Sequence, residues 1–446
     1  MSAVRALLCV ALLATGFSEK ALAQSDADDA DVRINPQVDN SSAYDSGTTI
    51  AIPSFINSRA NVIKLNGADL SSLRERISQV KNRRVNIAHI GDSHLQADMA
   101  TAVVRNRLQA DYGDAGRGLV TPLKMAGTNE PRDYSLRATA GAWSASKLMK
   151  RPWATAMGFT GTSAAPMSGM GAITVATLSR TGTPQMFDCV RLFHSGRPTL
   201  STAFPNVAQN IDTDTLMSEI TLYKPVSSLE INISLPGNDA LYGVSLERTH
   251  PGGLLYHVIG NNGATYISYN AIPEFCSGVS LLAPHLIILS LGANEAFGNI
   301  SADDMYNSIG VMVTALQRQC PDAQILLTTP MECQRSTMMK RRVKGKGRRR
   351  HRTVTSRSYT VNTRIATMRD AILRYGREHN IPTYDFYEIA GGVGASSKWV
   401  AAGMMSPDRI HNSAKGYNVQ GELLYDALKS AFSKPNISTT TTTTKR

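Results

Sequence analysis

Short apolar runs punctuate this chain, and most are followed by a glycine or proline and then a helical pattern. They are VNIAHI (Val85 to Ile90), LLYHVI (Leu254 to Ile259), HLIILS (His285 to Ser290) and QILLTT (Gln324 to Thr329), with IPTYDFY (Ile381 to Tyr387) near the end. A strand that is apolar at successive positions must be covered on both faces, and strands that alternate with helices pair in parallel. The intervening helices show their buried faces. Leu70, Leu73, Ile77 and Val80 recur at helical spacing before the first strand, and Leu95, Met99, Val103, Val104 and Leu108 after it, ending near Gly113. Ser301 and Asp304 form a capping-box start for a helix carrying Met305, Ile309, Met312, Val313 and Leu316. Ile365, Met368, Ile372 and Tyr375 mark another, and GELLYDALKSAF closes the pattern. The expected core is an α/β fold with a parallel sheet between helical layers.

Between residues 129 and 250 the pattern changes. SLEINISL places Leu229, Ile231, Ile233 and Leu235 on one face, and ALYGVSLE does the same with Tyr242, Val244 and Leu246. Turn residues separate such segments and no long helical period is visible, so an inserted β-rich unit is predicted, a sandwich. The α/β part is thereby split into residues 61–128 and 251–435. Residues 24–60 are polar and rich in Asp, Ser and Asn, and read as a loose lead-in. The threonine run within 436–446 reads as a disordered tail.

Residues 1–23 have the form of a secretory signal. Arg5 is the positive end, Ala6 to Gly16 the apolar stretch, and Ala21-Leu22-Ala23 a small-x-small cleavage site leaving Gln24 first. No later run approaches about 20 uninterrupted apolar residues. The expectation is an exported bacterial protein, periplasmic or secreted, with no transmembrane segment. Cys189, Cys276, Cys320 and Cys333 show no paired spacing, which argues against a zinc site, and a Cys189–Cys276 disulfide is allowed but not required. The formal charge of +12 is concentrated in KRRVKGKGRRRHR, Lys340 to Arg352, with nine Lys or Arg and no acid. This run leaves the sheet after QILLTT. It is either a flexible loop that steers an anionic polymer or a solvated loop with no partner. Nucleic acid is the lowest-ranked partner, because the run lacks interleaved aromatics and export makes the encounter rare.

In an open parallel sheet, chemistry collects beyond the carboxyl ends of the strands. There the sequence places Gly91-Asp92-Ser93, then Gly260 in GNNGAT, then Asn294 in LGANEAF, and last Asp408 and His411 in SPDRIHNSAKGY. Each alone also has a bland reading: a tight turn, a helix cap, surface decoration. Together they supply an acyl-transfer site. Serine needs a base to take its proton, and His411 is suited to it. Asp408, three residues earlier, can fix the imidazole tautomer. The Ser93 N–H at a helix start, the Gly260 N–H and the Asn294 amide are candidate oxyanion donors, with Gly260 small so that the approach stays open. His94 is an exposed helix residue or a substrate contact, and Asp98 reads as first-turn dipole compensation.

GDSH, the first glycine of IGNNGA, the Asn of GANE and the pair in DRIH resemble the four blocks of the SGNH (GDSL-like) hydrolase family. Ala293 and Glu295 stand where many members have threonine and aspartate. The resemblance implies a three-layer α/β/α flavodoxin-like fold, Ser93, Asp408 and His411 as catalytic residues, Ser93, Gly260 and Asn294 as the oxyanion hole, and neither cofactor nor metal. A β unit between the first two blocks is similar to the arrangement in periplasmic peptidoglycan O-acetylesterases, where the insert resembles a carbohydrate-binding module. The function so implied is a serine esterase removing O-acetyl groups from a cell-wall glycan, peptidoglycan first. Acetylated xylan or sialate, acetyl transfer to a sugar, and a non-catalytic glycan-binding wall protein remain as alternatives. The oligomeric state is not legible.

Overall fold

The computed structural model describes residues 51–179, 184–204, 207–343 and 352–433. The expected signal segment 1–23, the lead-in up to residue 50, the middle of the basic run (344–351) and the tail 436–446 lie outside the described residues.

The elements begin with α1 (Ser71–Ser78), β1 (Val85–Gly91), α2 (Ser93–Gln96), α3 (Met99–Tyr112) and β2 (Gly118–Val120). A run of strands follows: β3 (Tyr134–Ala140), β4 (Trp143–Lys147), β5 (Thr162–Pro166), β6 (Met170–Thr177), β7 (Phe187–His194), β8 (Thr199–Thr202), β9 (Ala208–Thr213), β10 (Met217–Val226), β11 (Ser228–Ser234) and β12 (Leu241–Glu247). Alternation then resumes with β13 (Leu254–Gly260), α4 (Tyr266–Asn270), α5 (Phe275–Ser280), β14 (Leu286–Ser290), α6 (Ala293–Phe297), α7 (Ala302–Gln319) and β15 (Gln324–Thr328). The chain ends with β16 (Gln334–Val343), β17 (Arg352–Val361), α8 (Arg364–Glu378), β18 (Thr383–Tyr384), α9 (Phe386–Ile389), α10 (Ala395–Ala401) and α11 (Ala414–Ser433).

The central sheet has 5 strands in the order β13-β1-β14-β15-β18, and its pairs are parallel. Numbered within the sheet this is 2-1-3-4-5, the doubly wound flavodoxin-like order, whose ligand crevice opens where the order reverses. β1 is buried at every position, Asn86 and His89 included, as a strand covered on both faces requires. Helix α3 packs with α11 on one side, and α7 packs with α4, α5 and α8 on the other. The Ser301–Asp304 capping box forms with both bonds at 3.0 Å, and the five apolar residues expected on the inner face of α7 are buried.

The remaining large sheets are antiparallel. One has 7 strands, with β12 between β7 and β5; the other has 4, in the order β3-β6-β11-β8. Between them lies a separate apolar core including Leu136, Ile173, Leu192, Ile220, Ile231 and Val244. β11 alternates buried and exposed side chains, as its sequence predicts.

Several expectations are corrected. ALYGVSLE does not expose one face: β12 is buried from Gly243 onward because it is covered on both sides, and Glu247 meets Arg84 at 2.5 Å. β2, within 61–128, pairs with β12 and so belongs to the sandwich sheet. Residues 51–60 are not loose, since Ile56 is buried in the core and the Asn57 N–H donates to the Ile389 carbonyl at 2.8 Å. Only Thr383–Tyr384 of IPTYDFY forms a strand. The four cysteines are free. The basic run was expected to be a loop, but its two ends, Lys340–Val343 and Arg352, lie in the paired strands β16 and β17. No helix among the described residues is long and apolar enough to cross a membrane.

Candidate active site

β1 ends at Gly91, and α2 starts at Ser93. A side chain at Gly91 would meet the Ser290 carbonyl of β14 and the Leu95 side chain of α2, both at 2.7 Å, so glycine lets the turn before Ser93 close against the next strand. Asp92 caps α2: its Oδ1 accepts the His94 N–H at 3.0 Å, and its carbonyl accepts those of Leu95 and Gln96 at 3.1 Å. The Ser93 N–H is the first-turn donor left without an intrahelical partner.

Ser93 Oγ lies 2.8 Å from His411 Nε2, and His411 Nδ1 lies 2.7 Å from Asp408 Oδ2, although Ser93 and His411 are 318 positions apart. Asp408 Oδ1 accepts the N–H groups of Ile410 and His411 at 2.9 and 3.0 Å. Burial alone would raise the Asp408 pKa. The His411 ring and the two backbone donors outweigh it and hold the pKa below the usual carboxylate value. An ionised Asp408 fixes the proton on Nδ1, so Nε2 is free to accept the serine proton.

Asn294 is in the first turn of α6. Its Nδ2 donates to the Ala264 carbonyl at 3.1 Å and to Asp92 Oδ2 at 3.3 Å. Asp92 thus joins the residue before the serine to the asparagine, a link the sequence reading missed. Burial pushes its pKa up to about 6, against the opposing His94 N–H and the nearby His411. Glu295 accepts the N–H groups of Tyr266 and Gly292 at 2.8 and 2.9 Å. Burial pushes its pKa up to about 7.

Gly260 stands in register beside Gly91. The reason for glycine here differs from the one expected. A Cβ would strike the backbone of α2, 2.5 Å from Gln96 N and 2.7 Å from Leu95 C, so the glycine seats the serine's helix on β13. Gln96 continues this clasp: its Nε2 donates to Thr128 Oγ1 and Asn129 O at 2.9 and 2.8 Å, and its Oε1 accepts the Asn262 N–H at 2.7 Å.

His94 is neither free nor fully exposed. Its Nδ1 is 3.1 Å from the Tyr417 hydroxyl and its ring centroid 5.1 Å from that of His411. Burial and then His411 push its pKa down to about 3, so it stays neutral. Asp98 is not a dipole partner at the surface. It is buried at φ 52° and pairs with Arg117 at 2.6 Å and Arg105 at 2.8 Å.

The Asp408–His411 loop is held from outside. Arg409 has φ 60°, the left-handed region. Its carbonyl accepts the Gln334 N–H at 3.0 Å, and its Nη1 donates to Gln334 Oε1 at 3.0 Å. The Tyr359 hydroxyl donates to the Pro407 carbonyl at 2.8 Å. Gln334, Tyr359 and Tyr417 carry no motif signal; only the structure brings them to the site. No group of three or more His, Cys, Asp or Glu among the described residues is placed to hold a metal ion.

The GDSL-like lipase/acylhydrolase family model matches residues 234–419, a span that holds Gly260, Asn294, Asp408 and His411 and leaves Ser93 outside. The chain is similar to a solved structure described as a peptidoglycan O-acetylesterase in action, with a TM-score of 0.65 and 22% identity, covering 83% of this chain and 99% of that one. A lipase/acylhydrolase from Enterococcus faecalis matches with a TM-score of 0.28 and 19% identity, over 40% of this chain and 77% of the other. A GDSL-like lipase from Bacteroides thetaiotaomicron matches with 0.28 and 17%, over 40% and 76%. No curated protein matches the chain. The first likeness establishes a shared fold. The family model and the shared fold both support a carboxylic ester hydrolase. Residues 234–419 match that family's model, and the antiparallel sheets formed by β2 to β12 stand apart from the parallel sheet.

Proposed function

We propose that this protein is an exported serine esterase that removes O-acetyl groups from a cell-wall glycan, peptidoglycan first. The observation that carries this reading is the unbroken relay from Ser93 Oγ through His411 to Asp408 at the carboxyl edge of the sheet. Ser93 attacks the acetyl carbonyl while His411 Nε2 takes its proton. The tetrahedral oxyanion is met by the Ser93 N–H, the Asn294 amide and the Gly260 N–H. Collapse expels the sugar oxygen, which takes the proton back from His411 and leaves acetyl on Ser93. A water, deprotonated by His411, then releases acetate and restores the serine.

The glycan follows from two supports: the similarity over most of both chains to a structure described as a peptidoglycan O-acetylesterase, and an insert, residues 129–250, whose sandwich is available to grip a polymer. The deciding experiment is acetate release from O-acetylated peptidoglycan compared with acetylated xylan, with a neutral aryl acetate as the reference ester. Release at least about tenfold faster from peptidoglycan at equal ester concentration is expected. Equal or faster release from xylan replaces the substrate, and no turnover of the aryl ester removes the esterase reading.

A further inference from the structure

The ribbon β16–β17 is not used by the site chemistry. Its register runs without a shift from Gln334↔Val361 to Val343↔Arg352. At about 3.4 Å per residue it extends roughly 30 Å. Neither strand joins another sheet, and side chains from Ser336 to Arg342 and from Thr353 to Arg357 are exposed. A lone two-stranded ribbon is marginal in water. This one is bolted at its base to both sides of the site. Tyr359 bonds Pro407, beside Asp408, and Arg335 bonds the Ala296 carbonyl and lies 5.0 Å over Phe297 on the helix of Asn294.

The ribbon is uniformly cationic. From Gln334 to Val361 the sequence contains no Asp or Glu. The register places Lys340, Arg342 and Arg357 on one face and Arg341 on the other. No carboxylate of the described residues pairs with these four. Such charge repels itself, and an external polyanion relieves it.

The side chains also discriminate among polyanions. Met338 shares a face with Lys340 and Arg342, while Met339 and Val354 lie on the opposite one. Neither face is one-sidedly apolar, as lying on a lipid surface requires. The single aromatic ring, Tyr359, is covered by Arg409 at 3.8 Å, which removes the stacking platform a nucleic-acid strand needs. A second copy of the chain would bring like charges edge to edge.

We propose that β16–β17 is a docking arm for an acidic glycan polymer, one bearing carboxylates at intervals, and that it delivers this polymer to the rim of the Ser93 site. The inference rests on the esterase reading and adds that the substrate polymer is anionic. The test compares the full chain with a K340S/R341S/R342S/R357S variant. The probe is purified sacculi freed of acetyl groups by mild base, so binding is read without hydrolysis. The variant should sediment with sacculi about tenfold more weakly at 100 mM salt, because the arm supplies the charge. Wild-type binding should fall by a similar factor between 50 and 300 mM salt, as screening shortens to below about 8 Å. Amidating the sacculus carboxylates should abolish the difference between the two proteins, and kcat/KM on a neutral aryl acetate should be the same for both. Equal binding of both proteins to untreated sacculi overturns the arm, as does arm-dependent binding that survives amidation. Preferential arm-dependent binding to anionic lipid vesicles overturns the stated partner. Failure of the esterase reading is separate, because it shows as loss of wild-type aryl acetate turnover while sacculus binding persists.

Discussion

The Arg409 guanidinium lies 3.8 Å from the centroid of the Tyr359 ring, while Arg409 itself holds φ at 60° between Asp408 and His411. A left-handed non-glycine residue costs about 1–2 kcal/mol. Here the stacking, the paired bonds to Gln334 and the Tyr359–Pro407 bond hold it in place. Replacing Tyr359 by Leu should lower kcat on a neutral aryl acetate by about tenfold and leave KM unchanged, since the loop orients His411 and does not touch a small ester. Arg409→Ala should be worse than Arg409→Gly, because only glycine takes the positive φ without strain. A rise in KM with kcat intact would mean the clamp serves substrate binding instead.

Ser93→Ala should reduce ester hydrolysis to a trace, by about 10⁴-fold or more, with an unchanged melting profile. His411→Ala should be nearly as damaging. Asp408→Asn should be milder, because the Ile410 and His411 N–H groups still find an oxygen at that position. Steady-state rates of the three variants give the order directly, and an Asp408 variant more impaired than the serine variant would reverse the assigned roles.

Asn294→Ala should lower kcat by about 10²–10³ with little change in KM, the expected effect of a donor used only when negative charge develops. In the resting site its amide is occupied by Ala264 and, at 3.3 Å, by Asp92. An effect confined to KM would place Asn294 in ground-state binding.

Glu295 gives a stability signature. Its folded pKa of about 7 lies above its ordinary 4.5, so the folded state keeps a proton that the unfolded chain releases. Its contribution is therefore greatest at acid pH and declines as pH rises from about 4.5 to 7, by about 3 kcal/mol in total. Glu295→Gln lacks this decline. Urea unfolding of the two proteins from pH 4.5 to 7.5 should show the Gln variant gaining on wild type across that window; parallel curves would exclude a raised pKa.

Arg117 stands between two acids, 2.6 Å from Asp98 and 2.9 Å from Asp133 at the start of the sandwich, and Arg105 bridges the same pair. Breaking a buried network by removing one partner leaves a charge uncompensated. Arg117→Ala should lower unfolding free energy by about 3–5 kcal/mol in urea, with aryl acetate kcat retained at low temperature. A cost under about 1 kcal/mol would make the network a surface feature.

The parallel sheet was legible because each strand is marked by local sequence, and Ser93, Asp408 and His411, singled out as candidates from their local motifs, are brought together by the structure. Unbroken apolar runs mark strands, and the residue after a strand end is where chemistry gathers. The β11 alternation was legible for the same reason. ALYGVSLE misled because alternation assumes one wet face, and β12 has none. The ribbon was read as a loop because charge and glycine dominate its middle, while its strands lack an apolar face. Asp98, the packing of Gly260, Arg409 and Tyr359 were not legible for a common reason. Their surroundings are fixed by partners outside their own segments: Arg117, the α2 backbone, Gln334 and the 405–412 loop.

β1 pairs with β13, and Val85 meets Leu254, roughly 170 residues later in the chain. During synthesis at about 5–20 residues per second, β1 waits of the order of 10–30 seconds for its neighbour to emerge. Throughout that interval β1, seven residues destined for full burial, has no ladder on either edge. The sandwich, whose strands lie nearly all within the intervening stretch, can close first. The turn from Gly91 to Ser93 therefore acquires its shape only when β13 and β14 arrive on either side of β1.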